Sequence, residues 1–145
     1  MNVRLAQIGE AAAVIDLYRG YDRPPDREMD PHEIESRFSE INRSGFVAVA
    51  VMDSVIVGSY SMYFCANLAR AGRSFAVVEN VIVVPSIRRR GIGRALMAHA
   101  QHSARERGCY KVMLATGASR PENIKFYEAC GFVGNKVGFQ VRYDA

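Results

Sequence analysis

The sequence predicts an α+β fold, an α/β three-layer arrangement in which a mixed, mostly antiparallel central sheet of six or seven strands carries helices on both faces. Three β-branched runs follow one another with short turns between them, which predicts an antiparallel meander. A long amphipathic segment and another apolar run come next, the pattern of a parallel crossover. With 145 residues, 49% of them hydrophobic, we expect one domain over residues 1–145.

The composition favours a cytoplasmic protein. No apolar run is long enough to span a bilayer, and no signal-peptide pattern follows the first methionine, so we expect no membrane association. Three cysteines, Cys65, Cys109 and Cys130, form no metal-binding spacing and are expected to be reduced thiols. The net charge of +4 is concentrated in one basic cluster, whereas a nucleic-acid surface needs several such patches, so we expect no nucleic-acid partner.

The N-terminal third predicts one strand and two helices. Residues 3–7 form a short apolar run, and apolar residues at helical spacing follow over residues 9–18. The stretch 19–27, with two adjacent prolines at Pro24 and Pro25, predicts a loop. Asp30 before Pro31 is a typical start of a second helix.

The remainder predicts the meander and the crossover. The three meander strands are expected over residues 45–52, 55–65 and 74–84, followed by a helix over 91–107 and a strand over 111–115. A last helix is expected from Pro121 to Gly131, and residues 132–143 should supply the one or two strands that close the sheet.

The turn before the long helix has the composition of an anion site. Pro85 ends the strand, because proline cannot donate to a sheet ladder. The first turn of a helix leaves backbone N–H groups unpaired and carries partial positive charge, and glycine lets a phosphate approach the main chain. Consecutive arginines are unfavourable there unless an anion binds. The residues concerned are Arg88, Arg89, Arg90, Gly91, Ile92, Gly93 and Arg94.

Two nucleotide-binding motifs are alternatives for this turn. A P-loop needs G-x-x-x-x-G-K-[ST], which is absent from the sequence. The dinucleotide pattern G-x-G-x-x-G is incomplete, because no third glycine follows Gly93 at the required spacing. Neither alternative matches as much of the chain as the family described next.

Two blocks of sequence resemble the GNAT (Gcn5-related) N-acetyltransferase family. Arg88-x-x-Gly91-x-Gly93 after a Val-Val-Pro strand end resembles its acyl-CoA-binding motif. Asn123-x-x-x-Tyr127-x-x-x-Gly131-Phe132 is similar to its later segment, which flanks the CoA thiol. The resemblance implies a GNAT-like acyl-CoA N-acyltransferase fold and an acyltransferase (EC 2.3.1.-) that uses acetyl-CoA as co-substrate and needs no metal. The acetyl group would pass to a primary amine by direct attack in a ternary complex.

The resemblance also implies which residues bind acetyl-CoA. The amides of the basic turn would hold the pyrophosphate, and the third meander strand would splay from the strand at 111–115 to admit the pantetheine arm. Backbone groups of that strand and one side-chain amide would contact the arm. The implied binding residues beyond the turn are Ile82, Val83, Val84 and Asn123.

Tyr127 and Glu79 are the candidate catalytic residues. Tyr127 would donate a proton to the departing CoA thiolate, since a tyrosine with a pKa near ~10 is protonated at neutral pH. The alternative is an aromatic residue that only packs or holds the sulfur. Glu79 would accept the proton of the incoming ammonium, directly or through water; the alternative is a surface charge paired with an arginine. Asn80 is expected on the opposite face of the strand.

The acceptor stays open, as a small-molecule or peptide amine. Aspartates at 22, 26 and 30 would suit a cationic acceptor, and Lys136 and Arg142 an acidic one. His99 is expected to pack against the sheet. The fold permits a homodimer, and the alternative function is a non-catalytic acyl-CoA-binding or sensing domain. Side chains that could line the acceptor pocket are Tyr18, Tyr21, His32, Tyr60 and Tyr63.

Overall fold

The computed structural model describes residues 1–21 and 27–144, and the chain separates into two compact units, Met1–Leu114 and Ala115–Ala145. Part of the predicted loop lies outside the described residues, including Pro24 and Pro25. Two of the aspartates that could contact a cationic acceptor, Asp22 and Asp26, also lie outside them. The first unit contains strands β1 to β5 and helices α1 to α3, and the second contains helix α4. In chain order they are β1 (Asn2–Leu5), α1 (Ala11–Tyr21), α2 (Pro31–Ser44), β2 (Gly45–Met52), β3 (Val55–Cys65), β4 (Phe75–Val83), α3 (Ile92–Glu106), β5 (Val112–Met113) and α4 (Pro121–Ala129).

The N-terminal helices begin where local chemistry favours a helix start. A 3₁₀ turn over Ile8–Glu10 leads into α1. Asp30 caps α2, because its carboxylate accepts a 2.9 Å hydrogen bond from the Glu33 N–H, and Pro31 occupies the first turn. The predicted helix start at Asp30 is therefore confirmed.

The sheet of the first unit is mixed and mostly antiparallel, as predicted. Its strand order is β1-β2-β3-β4-β5, in which neighbours pair antiparallel except β4 and β5. Five strands are present in the described residues, so the predicted count of six or seven is wrong. The parallel pair spans two residues on each strand, Ala76 opposite Val112 and Val77 opposite Met113.

The missing strands are those predicted for residues 132–143. The structure describes this segment without a strand, although its last seven residues, Val137 to Tyr143, alternate between apolar residues and polar residues or glycine. A strand needs a neighbour that pairs with its backbone N–H and C=O groups. The prediction assigned the remaining segment of the sequence to closing strands, and the sequence cannot show whether a pairing edge exists.

Helices cover both faces of this sheet. Successive residues of a strand point to opposite faces, and on β3 the Tyr60 side chain contacts His99 of α3, while Ser61 lines a cavity beside α1 and α2. The inner face of α3 is buried at Ile92, Leu96, Met97, Ala100 and Ala104. Within the described residues, none of the helices is both long and apolar enough to cross a membrane.

Candidate functional site

The turn between β4 and α3 directs the first amides of α3 outward. After β4 ends at Val83, a 3₁₀ turn over Pro85–Ile87 reverses the chain, and α3 begins behind Gly91. Gly91 has φ of 82°, a left-handed conformation that side chains disfavour, which explains a glycine at this cap. The first-turn N–H groups of α3 lack intrahelical partners, as at any helix start. This geometry suits a phosphate group.

The charge around this turn is uniformly positive. The side chains of Arg88, Arg89, Arg90 and Arg94 are exposed, and none of them forms an ion pair with another described residue. The first turn of α3 contains no acidic residue. Cationic side chains interact unfavourably with the positive end of a helix dipole, and an anion bound between them would offset that repulsion.

Beyond Val77, β4 has no β5 partner at its edge. Val84 uses both backbone groups within the unit, since its N–H donates to the Val57 C=O (2.9 Å) and its C=O accepts from the Ile87 N–H (3.2 Å). Hydrogen-bonded and non-hydrogen-bonded pairs alternate along an antiparallel ladder. The backbone N–H and C=O of Ile82 therefore also point toward β3, and those of Val83 point away from it. Ile82, Val83 and Val84 are the residues that the resemblance implies for binding the pantetheine arm. Of these three, Val83 has its backbone N–H and C=O on the side of β4 that faces away from β3.

A β-bulge interrupts β4 next to the candidate base. Glu79 lies opposite Ser61 and Ile82 lies opposite Ser59, so two residues of β4 face one residue of β3. Asn80, at the bulge, has φ of 55°, a conformation that asparagine tolerates better than most residues. Its side chain lines the same cavity as Ser61. The prediction that Asn80 lies on the opposite face is wrong, because the bulge breaks the alternation on which it relied.

The cavity, of about 130 Å³, lies between α1, α2 and the sheet. Tyr18 is the buried phenol at its sheet side. Burial raises the pKa of Tyr18, while hydrogen bonding to Ser61 and Ser59 partly opposes that rise. The walls are mainly apolar, with a few polar side chains and one cation, Arg37. The lining residues are Ala11, Val14, Ile15, Tyr18, Met29, Ile34, Arg37, Phe38, Ile41, Val47, Ser61, Tyr63 and Asn80.

The aromatic residues predicted for the acceptor pocket divide between two locations and the surface. Tyr18 and Tyr63 line the cavity, whereas Tyr21 and His32 are exposed. Tyr60 lies on the other face of the sheet, where its hydroxyl and Nδ1 of His99 are 2.7 Å apart in a hydrogen bond. Tyr60 does not line this cavity, because strand alternation directs its side chain toward α3. The expectation that His99 packs against the sheet is confirmed.

Glu79 is exposed and forms no ion pair with another described residue. Its carboxylate belongs to the face of β4 that carries Ser61 on the neighbouring strand, since directly opposed residues share a face. This is the face covered by α1 and α2. The structure therefore places Glu79 on the same side of the sheet as the cavity, although Glu79 does not line it.

The second unit carries the other two predicted residues on one helix face. Asn123 and Tyr127 lie four residues apart on α4, and both are partly buried. The Tyr127 ring packs edge-on against Phe126 and Phe132, with centroids 5.0 and 6.0 Å away. Burial raises the pKa of Tyr127, so its phenol stays protonated at neutral pH. The helix ends at Ala129, and Gly131, two residues later, has φ of 95°.

Sequence reasoning did not single out Ser61, Asn80 or Arg37 as cavity residues. Ser61 was detectable, because it lies two residues from Tyr63 on β3 and must share its face. Asn80 was not, because its orientation depends on the bulge. Among the described residues, no three histidine, cysteine, aspartate or glutamate side chains group together as a metal site requires.

The chain is similar to part of several curated N-acetyltransferases. It is 40% identical over 89 residues to a glucosamine 6-phosphate N-acetyltransferase of Trypanosoma brucei brucei, covering 61% of this chain and 57% of that protein. It is 32% identical over 120 residues to a probable glucosamine 6-phosphate N-acetyltransferase of Drosophila melanogaster, covering 75% and 52%. The chain spans about half the length of these curated relatives.

The fold has a close counterpart among solved structures. An Agrobacterium tumefaciens str. C58 structure, described as an acetyltransferase, superposes with a TM-score of 0.88 at 36% sequence identity, covering 98% of this chain and 99% of that one. The family model for the acetyltransferase (GNAT) family matches residues 11–132, which include the basic turn and the Asn123–Tyr127 block. The chain therefore belongs to the GNAT acetyltransferase family.

Proposed function

We propose that the protein is an acetyl-CoA-dependent N-acetyltransferase that acts on a primary amine. The observation that carries this proposal is the turn before α3, where four exposed arginines surround a helix start behind Gly91 and form no ion pair with any residue that the structure describes. A pyrophosphate matches that charge and those amides. Family membership supports acetyl-CoA as the donor, because GNAT acetyltransferases use it.

The chain's own residues would bind the donor at three places. The N–H groups of Ile92, Gly93 and Arg94 would donate hydrogen bonds to the pyrophosphate oxygens. Val83 would offer its N–H and C=O to the amides of the pantetheine arm, as an added strand does. We assign Asn123 a side-chain hydrogen bond to the same arm, on the strength of the motif that it shares with the family.

The reaction needs two proton transfers. The acceptor arrives as an ammonium and must lose a proton before its nitrogen can attack the thioester carbon; Glu79, directly or through water, would accept that proton. A C–N bond then forms, the C–S bond breaks, and the CoA thiolate leaves. Tyr127 would protonate that thiolate, and its raised pKa keeps the proton available at neutral pH.

The cavity lined by Tyr18, Ser61, Tyr63 and Asn80 is the candidate entrance for the amine. It lies on the Glu79 side of the sheet, and its few polar groups would orient the acceptor against mostly apolar walls. Because two relatives are named for glucosamine 6-phosphate, this amine is the first to assay. Polyamines, aminoglycosides, amino acids and peptide N-termini form the comparison set.

The first experiment is a calorimetric titration with acetyl-CoA, with ATP and NAD as controls. We expect saturable binding near one acetyl-CoA per chain and no comparable heat from either control. Replacing Arg88 and Arg89 by alanine should weaken binding at least several-fold, whereas replacing Arg43 and Arg105, arginines away from the turn, should not. Absence of acetyl-CoA binding by the folded protein would refute the proposal. Binding without thiol release for any amine would favour the sensing domain.

Tyr127→Phe separates the proposed acid from a packing residue. It should lower kcat by roughly 10²-fold or more while acetyl-CoA affinity changes little, since general acid catalysis contributes about that much. Tyr21→Phe is the matched control, because that phenol is exposed. A large loss of affinity with turnover of bound substrate intact would contradict the acid assignment.

Glu79→Gln tests the proposed base. It should reduce kcat/KM at neutral pH and recover part of the loss at alkaline pH, where more of the amine is already unprotonated. Glu35→Gln, at another exposed glutamate, is the control. An unchanged pH profile for Glu79→Gln would mean that water, without Glu79, accepts the proton of the acceptor ammonium.

A further inference from the structure

The cavity between α1, α2 and the sheet has two chemically different parts. Its polar part is formed by β3 and β4, where the Ser61 hydroxyl and the Asn80 amide line the wall. Ser61 is buried and Asn80 is exposed, so this polar part extends from the core to the surface. The rest of the wall is mainly apolar and comes largely from the two helices. The apolar residues that α1 and α2 contribute are Ala11, Val14, Ile15, Ile34, Phe38 and Ile41.

Glu79 lies beside the polar part. It is directly opposite Ser61 in the β3–β4 register and belongs to the face of the sheet that α1 and α2 cover. An ammonium group needs a carboxylate and hydrogen-bond acceptors near it, because its charge is costly to remove from water. The polar part therefore suits the nitrogen of the acceptor, and the apolar part suits the group that carries this nitrogen.

The cations described around the cavity are already paired with carboxylates. Arg37 is the cation among the described lining residues, and its guanidinium lies 2.7 Å from the Glu40 carboxylate. Arg27, shortly before α2, lies 2.9 Å from Glu33. The four arginines of the basic turn, by contrast, form no ion pair with a described residue. The charge pattern therefore favours a phosphate at the turn and not inside the cavity.

The volume of the cavity, about 130 Å³, limits the group that can enter. A protein cavity of about 150 Å³ with aliphatic and aromatic walls is large enough to bind benzene. One aromatic ring therefore matches the apolar part in both size and chemistry. A phosphorylated sugar is larger, and the apolar side chains of the two helices cannot form hydrogen bonds with its hydroxyl groups.

We propose that the acceptor is an arylalkyl primary amine, whose aromatic ring lies between α1 and α2 and whose nitrogen lies at Ser61 and Asn80, beside Glu79. This inference rests on the proposed acetyl transfer, because it names the acceptor of that reaction. The amine nitrogen gives up a proton to Glu79 or water and forms the C–N bond. The C–S bond of acetyl-CoA breaks, and the departing thiolate takes up a proton to leave as the thiol.

Thiol release from acetyl-CoA with three amines tests this preference. The amines are 2-phenylethylamine, ethylamine, which lacks the ring, and glucosamine 6-phosphate. We expect kcat/KM for 2-phenylethylamine to exceed that for ethylamine by roughly 10- to 100-fold, the factor that burial of one aromatic ring provides. Glucosamine 6-phosphate should be the poorer acceptor. Equal values for the two alkylamines, or the highest value for glucosamine 6-phosphate, would overturn the proposal.

Ala11→Leu tests whether the ring binds in this cavity. Ala11 is buried and lines the cavity, whereas Ala12, the next residue of α1, is exposed and does not line it. A leucine at residue 11 fills space that the ring needs, so the preference for 2-phenylethylamine over ethylamine should fall roughly 10-fold. Ala12→Leu is the matched control and should keep the wild-type preference. A preference that Ala11→Leu leaves unchanged would place the ring elsewhere.

Calorimetry of the wild type separates failure of this inference from failure of the proposed function, and it needs no variant to fold. The protein is titrated with 2-phenylethylamine and with glucosamine 6-phosphate, each with and without coenzyme A. We expect saturable binding of 2-phenylethylamine. If it binds but no amine releases thiol from acetyl-CoA, the cavity assignment stands and the transferase function fails. If it does not bind while another amine releases thiol, the arylalkylamine inference alone is overturned.

Discussion

Gly58→Ala tests whether close packing of α3 against the sheet positions the basic turn. A Cβ atom at residue 58 would lie 3.0 Å from the Ile82 carbonyl oxygen and 3.2 Å from side-chain carbons of both Ile92 and Leu96. Ile92 and Leu96 are buried in the first turns of α3. Gly58 is therefore needed for the close approach of three chain segments.

The expected cost follows from how little these neighbours can move. The Ile82 carbonyl is part of the β3–β4 ladder, and the two side chains are enclosed in the core, so the added methyl group overpacks the site. Overpacking of this kind typically costs about 1–3 kcal/mol of unfolding free energy. For a chain of about this length, the melting temperature should fall by roughly 2–4 °C per kcal/mol.

Chemical denaturation of the two proteins measures this loss, and Gly20→Ala is the matched control. Gly20 lies in α1, and apart from its chain neighbours and the helix backbone no atom of the described residues lies within 4 Å of an added Cβ. The same substitution should therefore stabilise by about 0.5–1 kcal/mol through the helix preference of alanine. Because Ile92 begins the helix that bears the proposed phosphate amides, Gly58→Ala should also weaken acetyl-CoA binding. Equal denaturation midpoints for Gly58→Ala and wild type would refute the packing argument.

Two further predictions concern polar contacts away from the proposed site. The Glu10 carboxylate accepts hydrogen bonds from Arg4, at 2.7 and 2.8 Å, and from the Gln7 N–H, and these bonds lower the pKa of Glu10 to about 2. This folded-state pKa lies below the pKa of Glu10 in the unfolded chain. The stability that Glu10 contributes is therefore present at neutral pH and is lost as pH falls toward 2. Urea midpoints of Glu10→Gln and wild type should differ at pH 7 and converge at acid pH, and a constant difference would contradict the assignment. Tyr60→Phe removes the partner of His99 in a buried setting and should cost roughly 1–3 kcal/mol by denaturation, whereas Tyr21→Phe, at an exposed phenol, should be nearly neutral.

Local sequence chemistry predicted those parts of the fold that depend on neighbours along the chain. The Asp30 cap, the valine-rich meander and the glycine at residue 91 each reflect a preference that operates over a few residues, and the structure contains all three. The family motif also led to the prediction that acetyl-CoA is the co-substrate. The basic turn was predictable because charge, glycine and helix start occur in one uninterrupted stretch.

The cavity was only partly predictable. Tyr18 and Tyr63 were recognised as candidates from their residue type, but Tyr60 was included with them although it faces α3. Asn80 was assigned to the wrong face, because the bulge of β4 requires the pairing register of two strands, which no single strand's pattern contains. Apolar walls from two helices meet in one cavity only after the chain has folded.

The sequence by itself determined where strands and helices begin, where positive charge gathers, and which family motifs the chain carries, because these properties are encoded within short windows. Tertiary structure alone decided the five-strand count in the described residues and the face on which Asn80 lies. Each of these depends on whether a partner strand is present and in what register. A strand completes its backbone hydrogen bonds only with another strand. Residues distant in the sequence therefore decide whether a segment forms a strand and in which register it pairs.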